Sequence, residues 1–346
     1  MTQPYVIPGL LAILVLVLTL PFLIKAVEHQ LEIFLFVMGV AAALISGMMG
    51  QELILKALEE PIMISLAVLV AGILFKMLQT RIQKAMHGAL RVIPFGVFAA
   101  LVIIVLGLCS SVITAIISSL VLVEIVSVLG LDRKTEVAFV IIACFAIGLG
   151  AALTPLGEPL ATIAVSKMGG DFWYLVRMLG VYIVPGVIAL GLFAAFFLKP
   201  RPGEARAEGS MAGGAQTESY KDVFFRAFKI YLFVMALTFL GEGFKPLIDR
   251  YVLGLSTGLL YWINMISAVL DNATLAAAEL SPAMSAAQVK AVLMGLLVAG
   301  GMLIPGNIPN IVSAGKLGIG SKEWAKLGVP MGLSLLGVYF VILMLL

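Results

Sequence analysis

The sequence predicts an all-α polytopic membrane protein with two inverted repeats, each holding a re-entrant helical hairpin and a broken transmembrane helix. Three observations predict it. The 346-residue chain is 62% hydrophobic and 12% charged, with a mean hydropathy of +1.15. That is more apolar surface than a soluble domain can bury. Two long apolar regions are interrupted by Gly, Pro and polar residues, at Thr154–Pro159 and Gly300–Asn310. Finally, a set of landmarks recurs in the same order after both interruptions.

Composition excludes several classes. The net charge of +3 is spread over short loops, and no basic tract for nucleic acid is present. Cys109 and Cys144 lie inside apolar runs and read as small hydrophobes. His29 and His87 stand alone, away from any His/Cys/Asp cluster that would suit a metal centre. The apolar run Ile7–Ile24 follows no Lys or Arg, so it reads as a retained helix, not a secretory signal.

Taken in order, segments long enough to cross a bilayer fall at 5–24, 31–50, 61–78, 175–198, 226–247 and 327–346. Apolar but broken regions fall at 92–129, 137–166 and 252–316. This divides the chain into N-terminal helices (1–60), a first repeat (61–198), a linker (199–225) and a second repeat (226–346). The linker, rich in Gly, Ala, Glu, Arg and Ser, cannot build a core. Lys and Arg bias places the 76–91 loop, the linker and the 316–326 loop in the cytoplasm. The acidic 51–60 loop then faces outside, as do both termini, in a prokaryotic inner membrane.

These assignments agree only if 92–129 enters from the cytoplasm, turns near Ser110–Thr114 and returns. By the same parity, 252–280 enters from outside, turns near Ser267–Asn272 and goes back out. Hairpins of opposite sense, each followed by a broken helix (137–166 and 288–316), are what an inverted repeat requires. Thr154-Pro155-Leu-Gly157-Glu158-Pro159 leads to Lys167, Gly169, Trp173 and Gly180-Val181. Ile304-Pro305-Gly306-Asn307-Ile-Pro309 leads to Lys316, Gly318, Trp324 and Gly328-Val329. A second match, Ile33–Met38 with Ile230–Met235, pairs helices that run in the same direction and is discounted. Trp173 and Trp324 suit interfacial anchoring.

The interruptions carry the chemistry. A helix broken inside a membrane turns unsatisfied N–H and C=O groups into the gap, where carbonyls suit cations and N-termini suit anions. Asp271, beside Asn272 and Thr274, is an expensive carboxylate in apolar sequence and the leading candidate. With Asn307 and the carbonyls near Gly306, these oxygens suit a hard cation such as sodium, with Asp271, Asn272 and Asn307 as its ligands. Ser267 and Asn310 complete that half. The first half offers Ser110, Ser111 and Thr114 at its tip and Thr154, Gly157 and Glu158 at its break. Glu158 reads either as a second ligand or as a cap on the following half-helix. Glu124 reads as interfacial, Glu242 as undecided and Glu279 as exposed on the outer surface.

At these residues the chain resembles the ion transporter superfamily, which includes sodium/proton antiporters, arsenite permeases and divalent-anion/sodium symporters. Ser267-Ala-Val-Leu-Asp271-Asn272 resembles the Ser-x-x-x-Asp-Asn tip of its antiporter and arsenite branches. Thr154-Pro-Leu-Gly157-Glu158-Pro159 resembles its Thr-x-x-Gly-Asp-Pro-Pro-Asn loop, with Glu for Asp. Gly300 through Asn310 resembles its second-half loop, and the likeness, to a family of predicted cation transporters within it, covers roughly residues 60–346. Two departures stand out. Thr114-Ala115 occupies the place of a frequent Asp-Asn, and Leu160-Ala161 that of Pro-Asn, so the first-half ion site is weakened, lost or altered. The resemblance implies a scaffold and a transport domain, alternating access and a homodimer.

The expected function is therefore a secondary active transporter, a cation (sodium)/proton antiporter with no cofactor beyond its coupling ions, Na+ and H+. Its partners are a small ion and membrane lipid. The alternatives are a sodium-coupled symporter of a small anion or carboxylate and, in another class, an ion channel. An enzyme is disfavoured, because there is no His-Glu-x-x-His motif, no nucleotide loop and no second intramembrane aspartate.

Overall fold

A computed structural model describes residues 4–24, 27, 30–62, 65–66, 69–70, 73, 77, 94–199, 220–247, 250–251, 254–268 and 272–345. Within them the protein is all-helical, with no β-strand. Helix α1 (Val6–Leu23) and α2 (Leu31–Ile45) open the chain. Next come α3 (Phe95–Ile113), α4 (Ala115–Leu129), α5 (Arg133–Ala151), α6 (Pro159–Lys167) and α7 (Tyr174–Phe197). Helix α8 (Tyr220–Gly243) leads to α9 (Thr257–Ile263), the 3-10 turn Asn264–Ala268 and α10 (Asn272–Glu279). The chain ends with α11 (Ala286–Gly300), α12 (Ile308–Leu317) and α13 (Ser321–Leu345).

Four of these, α3, α5, α7 and α13, are long and apolar enough to cross a membrane. Two of the four, α7 and α13, match expected spans. Helix α3 does not, since the sequence assigns it to a hairpin; its 19 residues extend about 28 Å at 1.5 Å per residue. The 31–50 segment also differs from expectation. It stops at Ile45 and turns through Gly47 (φ 74°), and a new helical segment occupies 51–62, so the acidic stretch is not a loop. The 76–91 loop, apart from residue 77, and most of the linker lie outside the described residues.

Helices α5 and α11 occupy the centre. Every residue from Thr135 to Ala151 is buried, and α11 is buried from Ala291 to Gly300. Buried on all sides, both must be apolar all round, which is why they show no polar stripe. Small residues let neighbours come close. A Cβ on Gly150 would stand 1.8 Å from the Gly107 carbonyl oxygen of α3, and one on Gly295 2.6 Å from the Tyr261 carbonyl oxygen of α9. Gly186 of α7 likewise leaves room for the Tyr339 hydroxyl, which donates to the Tyr182 carbonyl at 3.1 Å and ties α7 to α13.

Side-chain ties fix the two ends of the molecule. At one end Arg133, the first residue of α5, donates to Glu323 (2.8 and 2.7 Å) and to the carbonyls of Leu317 (3.1 Å) and Gly318 (2.8 Å). At the other, the Lys167 ammonium at the end of α6 donates to the Ala277 (2.7 Å) and Leu280 (3.1 Å) carbonyls at the end of α10. Both cations meet helix C-termini, where carbonyls and the helix dipole favour them. Near Lys167, Lys56 pairs with Glu242 at 2.9 Å, and Glu60 accepts from Thr238 (2.7 Å) and from Ser166.

Helices α2 and α8 run side by side in the same direction. Glu32 pairs with Lys229 (3.4 Å), Phe36 meets Phe239 edge-on, and Gly243 packs on Ala42. The two copies of the discounted apolar hexamer therefore sit on parallel neighbours.

Gly150→Ala is expected to destabilise the protein by more than about 2 kcal/mol, because its methyl meets backbone that cannot yield. Gly337→Ala, in open space on α13, is expected to stabilise it by up to about 1 kcal/mol. Thermal unfolding in detergent reads both; equal shifts would contradict the packing described.

Candidate functional site

Two helix breaks define the candidate site. After α5 the chain passes through 152–158 and restarts as α6. After α11 it passes through 301–307, including a 3-10 turn at Ile304–Gly306, and restarts as α12. The residue before each restart is extended in nearly the same way: Glu158 at φ −155°, ψ 160° and Asn307 at φ −156°, ψ 163°. A proline stands in the first turn of both new helices, where a missing N–H costs nothing. In each break the chain folds back over the last carbonyl of the first segment. A Cβ on Gly157 would stand 2.0 Å from the Ala151 oxygen, and one on Gly306 2.4 Å from the Gly300 oxygen. Only glycine fits there, and the spacing is the same in both.

Each break touches the hairpin of its own half. The Ala115 N–H donates to the Gly157 carbonyl at 2.8 Å, and the Thr154 hydroxyl donates to the Ser111 carbonyl. In the second half a Cβ on Gly306 would stand 2.6 Å from the Ser267 carbonyl oxygen. The second break also meets α5, the helix that leads into the first break. The Asn307 amide nitrogen lies 3.0 Å from where a Cβ on Gly148 would sit, and Cys144 packs between Pro309 and Ser313 of α12.

The second-half break is held by carboxamides. Asn307 caps α12, its side-chain oxygen accepting from the Asn310 N–H at 3.1 Å. The Asn310 amide nitrogen donates to the Gly300 (3.0 Å) and Leu303 (2.8 Å) carbonyls that the break strands. Trp324 Nε1 serves the Gly301 carbonyl at 3.3 Å. After this satisfaction, Ser267 Oγ, Asn310 Oδ1 and Asn272 Nδ2 remain buried without a hydrogen-bond partner among the described residues. Two of those three are acceptors. Such atoms are costly to bury unless something fills their need. No three His, Cys, Asp or Glu side chains gather among the described residues. Hydroxyl and carboxamide oxygens of this kind suit a hard cation better than a transition metal. Asp271 and the side chain of Thr274 lie outside the described residues, and Asn272 is the first residue of α10.

Most hydroxyls of the first half serve its own backbone carbonyls. The Ser110 hydroxyl reaches the carbonyls of Gly107 (2.6 Å) and Ile147 (3.0 Å), Ser111 donates to Leu108 (2.8 Å), Ser119 to Ala115 (2.7 Å) and Thr162 to Pro155 (2.6 Å). Ser118 Oγ alone in this group lacks a partner among the described residues. Thr114 joins α3 to α4 as a single residue at φ 75° and caps α4 by accepting from the Ile117 N–H at 3.4 Å. A threonine at positive φ costs about 1–3 kcal/mol, so the tip is held by its surroundings. Glu158 is buried, but its carboxylate does not cap α6; its backbone carbonyl accepts from the Thr162 N–H.

Two expectations need correction. Trp324 is not an interfacial anchor but fully buried, because its indole N–H completes the α11 break. Glu279 is not a surface acid, for its Oε2 is buried. Sequence reasoning also missed Lys167, Asn264 and the Glu60–Lys56–Glu242 group. Lys167 was visible only as a repeated landmark, and nothing in its spacing shows that it seeks helix carbonyls.

The fold is that of a helical protein with several helices fit to cross a membrane, with two helix breaks near its centre. Residues 7–346 match the family described as "Protein of unknown function (DUF1646)", and the chain belongs to that family. No curated protein matches the sequence.

Asn310→Ala strands the Gly300 and Leu303 carbonyls in the interior. At about 1–3 kcal/mol for each buried group left unsatisfied, a loss of roughly 2 kcal/mol or more is expected in detergent melts. Ser118→Ala, which removes no bond among the described residues, is expected to change stability by less than about 1 kcal/mol.

Proposed function

We propose that this protein is a secondary active transporter of the ion transporter superfamily, a cation (sodium)/proton antiporter that works by alternating access. The observation that carries the reading is the packing of the second helix break, at Asn307, against Gly148 of the central helix α5, beside the orphaned polar atoms Ser267 Oγ and Asn310 Oδ1. In the proposed cycle Asp271 binds the cation with Asn272, Thr274, Asn307 and the carbonyls near Gly306. It releases the cation when a proton takes its place, so one charge neutralises the carboxylate in each half-cycle.

An inverted repeat with two re-entrant hairpins belongs to the same proposal. The matching order of hairpin, broken helix and long helix supports it, and so do the side-chain ties. Arg133 meets Leu317, Gly318 and Glu323, all assigned to the cytoplasmic side by charge bias. Lys167 meets Ala277 and Leu280, and Lys56 meets Glu242, all assigned outside. The parallel α2 and α8 also agree with the assigned directions. The hydrogen bonds of the first hairpin tip to the α5–α6 break support a tip that lies as deep as the break. Cation antiport is preferred over anion symport because Ser110, Ser111 and Thr154 spend their hydroxyl protons on backbone carbonyls.

The test uses purified protein in proteoliposomes with a trapped pH dye, given sodium, lithium, potassium or calcium in turn. Wild type is expected to release protons for one cation selectively, and Asp271→Asn to lose that flux. Asn307→Ala, which removes a proposed ligand, is expected to raise the cation concentration needed for half-maximal flux. Silence from wild type with every cation would sink antiport, and sodium-driven anion uptake without a pH signal would transfer the function to symport.

A further inference from the structure

The second hairpin holds another polar pair that the proposed cation site leaves unused. Asn264 opens the 3-10 turn and Glu279 closes α10, so they stand on opposite arms, and the Asn264 amide donates to the Glu279 carboxyl. Asn264 is fully buried, and its Nδ2 also donates to the Leu260 carbonyl at 2.8 Å. Both amide hydrogens are thus spent. Two acceptors are left, Asn264 Oδ1 and Glu279 Oε2, each buried and without a partner among the described residues.

Two unsatisfied acceptors on one hydrogen-bonded pair share a simple remedy. A carboxylate has no hydrogen to offer, whereas a carboxylic acid has one. We infer that Glu279 carries a proton and donates it to Asn264 Oδ1, closing a cyclic acid–amide pair and making the two residues a proton-binding site separate from Asp271. One proton satisfies both orphans at once. A carboxylate would leave both acceptors buried without a donor, at the cost that any unpaired buried charge carries.

The charged groups on the elements packed against α10 are otherwise engaged. Lys167 of α6 donates to the Ala277 and Leu280 carbonyls on either side of Glu279. Glu242 of α8 is paired with Lys56 and Lys229 with Glu32, while Lys290 of α11 faces the Tyr182 ring. None of them forms an ion pair with Glu279 among the described residues.

The location gives the pair its role, and this part rests on the antiporter reading. Helix α10 begins at Asn272, next to the proposed cation ligand, and ends at Glu279. Loss of the proton to water leaves a carboxylate against Asn264 Oδ1 and breaks one of the bonds between the two arms. Proton exchange at Glu279 therefore loosens the hairpin whose tip holds the cation site.

Infrared difference spectroscopy on purified full-length protein tests the inference without transport. Wild type is expected to show a protonated-carboxyl C=O band that shifts in D2O, persists in Asp271→Asn and vanishes in the isosteric Glu279→Gln. Asn264→Ala is expected to move the band to higher frequency, because the C=O loses its donor. A band that survives Glu279→Gln, one that disappears in Asp271→Asn, or no band in wild type would overturn the assignment. In proteoliposomes Glu279→Gln is expected to abolish cation-driven proton release. Flux at wild-type level in that variant would overturn the coupling role. A Glu279 band in a wild type that answers no cation would keep the proton site and discard the antiporter.

Discussion

The structure depends on one constraint: backbone groups buried among apolar side chains must find partners inside the protein. Two central helices are broken, so each leaves carbonyls and N–H groups in the interior. The second break is repaired by the amide of Asn310, the cap of Asn307 and the indole of Trp324. At the first, the Ala115 N–H serves the Gly157 carbonyl of the break, and the Thr154 hydroxyl of the break in turn serves the Ser111 carbonyl of α3. The same geometry is thus sustained by different chemistry in the two halves. At the second break Asn310 spends its amide hydrogens on stranded carbonyls and keeps a buried Oδ1 without a partner among the described residues. That acceptor is what draws the binding proposal to the second break.

Close approach is the other half of the design. Gly150, Gly157, Gly300 and Gly306 stand where a methyl would strike backbone, so α3 can approach α5 and each break can fold over the end of its helix. The positions are dictated by sterics more than by conformational freedom, since none of these four has a positive φ. The left-handed positions are elsewhere, at Gly47, Gly130, Gly169 and Gly318, where helices end.

Much of this was legible in the sequence, and the reasons differ by feature. The breaks were visible because Gly and Pro interrupt apolar runs, and their bounds fell within a few residues. The junction of α3 and α4 at Thr114 lies in the polar cluster 110–114 where the sequence places a turn. Trp324 was misread because an indole that looks like an interfacial anchor is also a good buried donor, and only the third dimension says which. Glu279 was misread for a related reason. Ser281 and Pro282 just after it read as a surface loop, but its partner, Asn264, is 15 residues away in sequence, where no local pattern records it. The hydroxyls of the first tip show a third limit: Ser and Thr read the same whether they line a cavity or merely serve the helix that carries them.

The indole of Trp324 also makes the protein its own optical instrument. Trp173 and Trp262 are partly exposed, whereas Trp324 is sealed inside and bonded to the carbonyl at the α11 break. Its emission is therefore set by the break, while the other two answer to their surroundings. A blue component that collisional quenchers cannot reach belongs to Trp324. Any rearrangement that reopens the Gly301 carbonyl changes that component without a label having been attached.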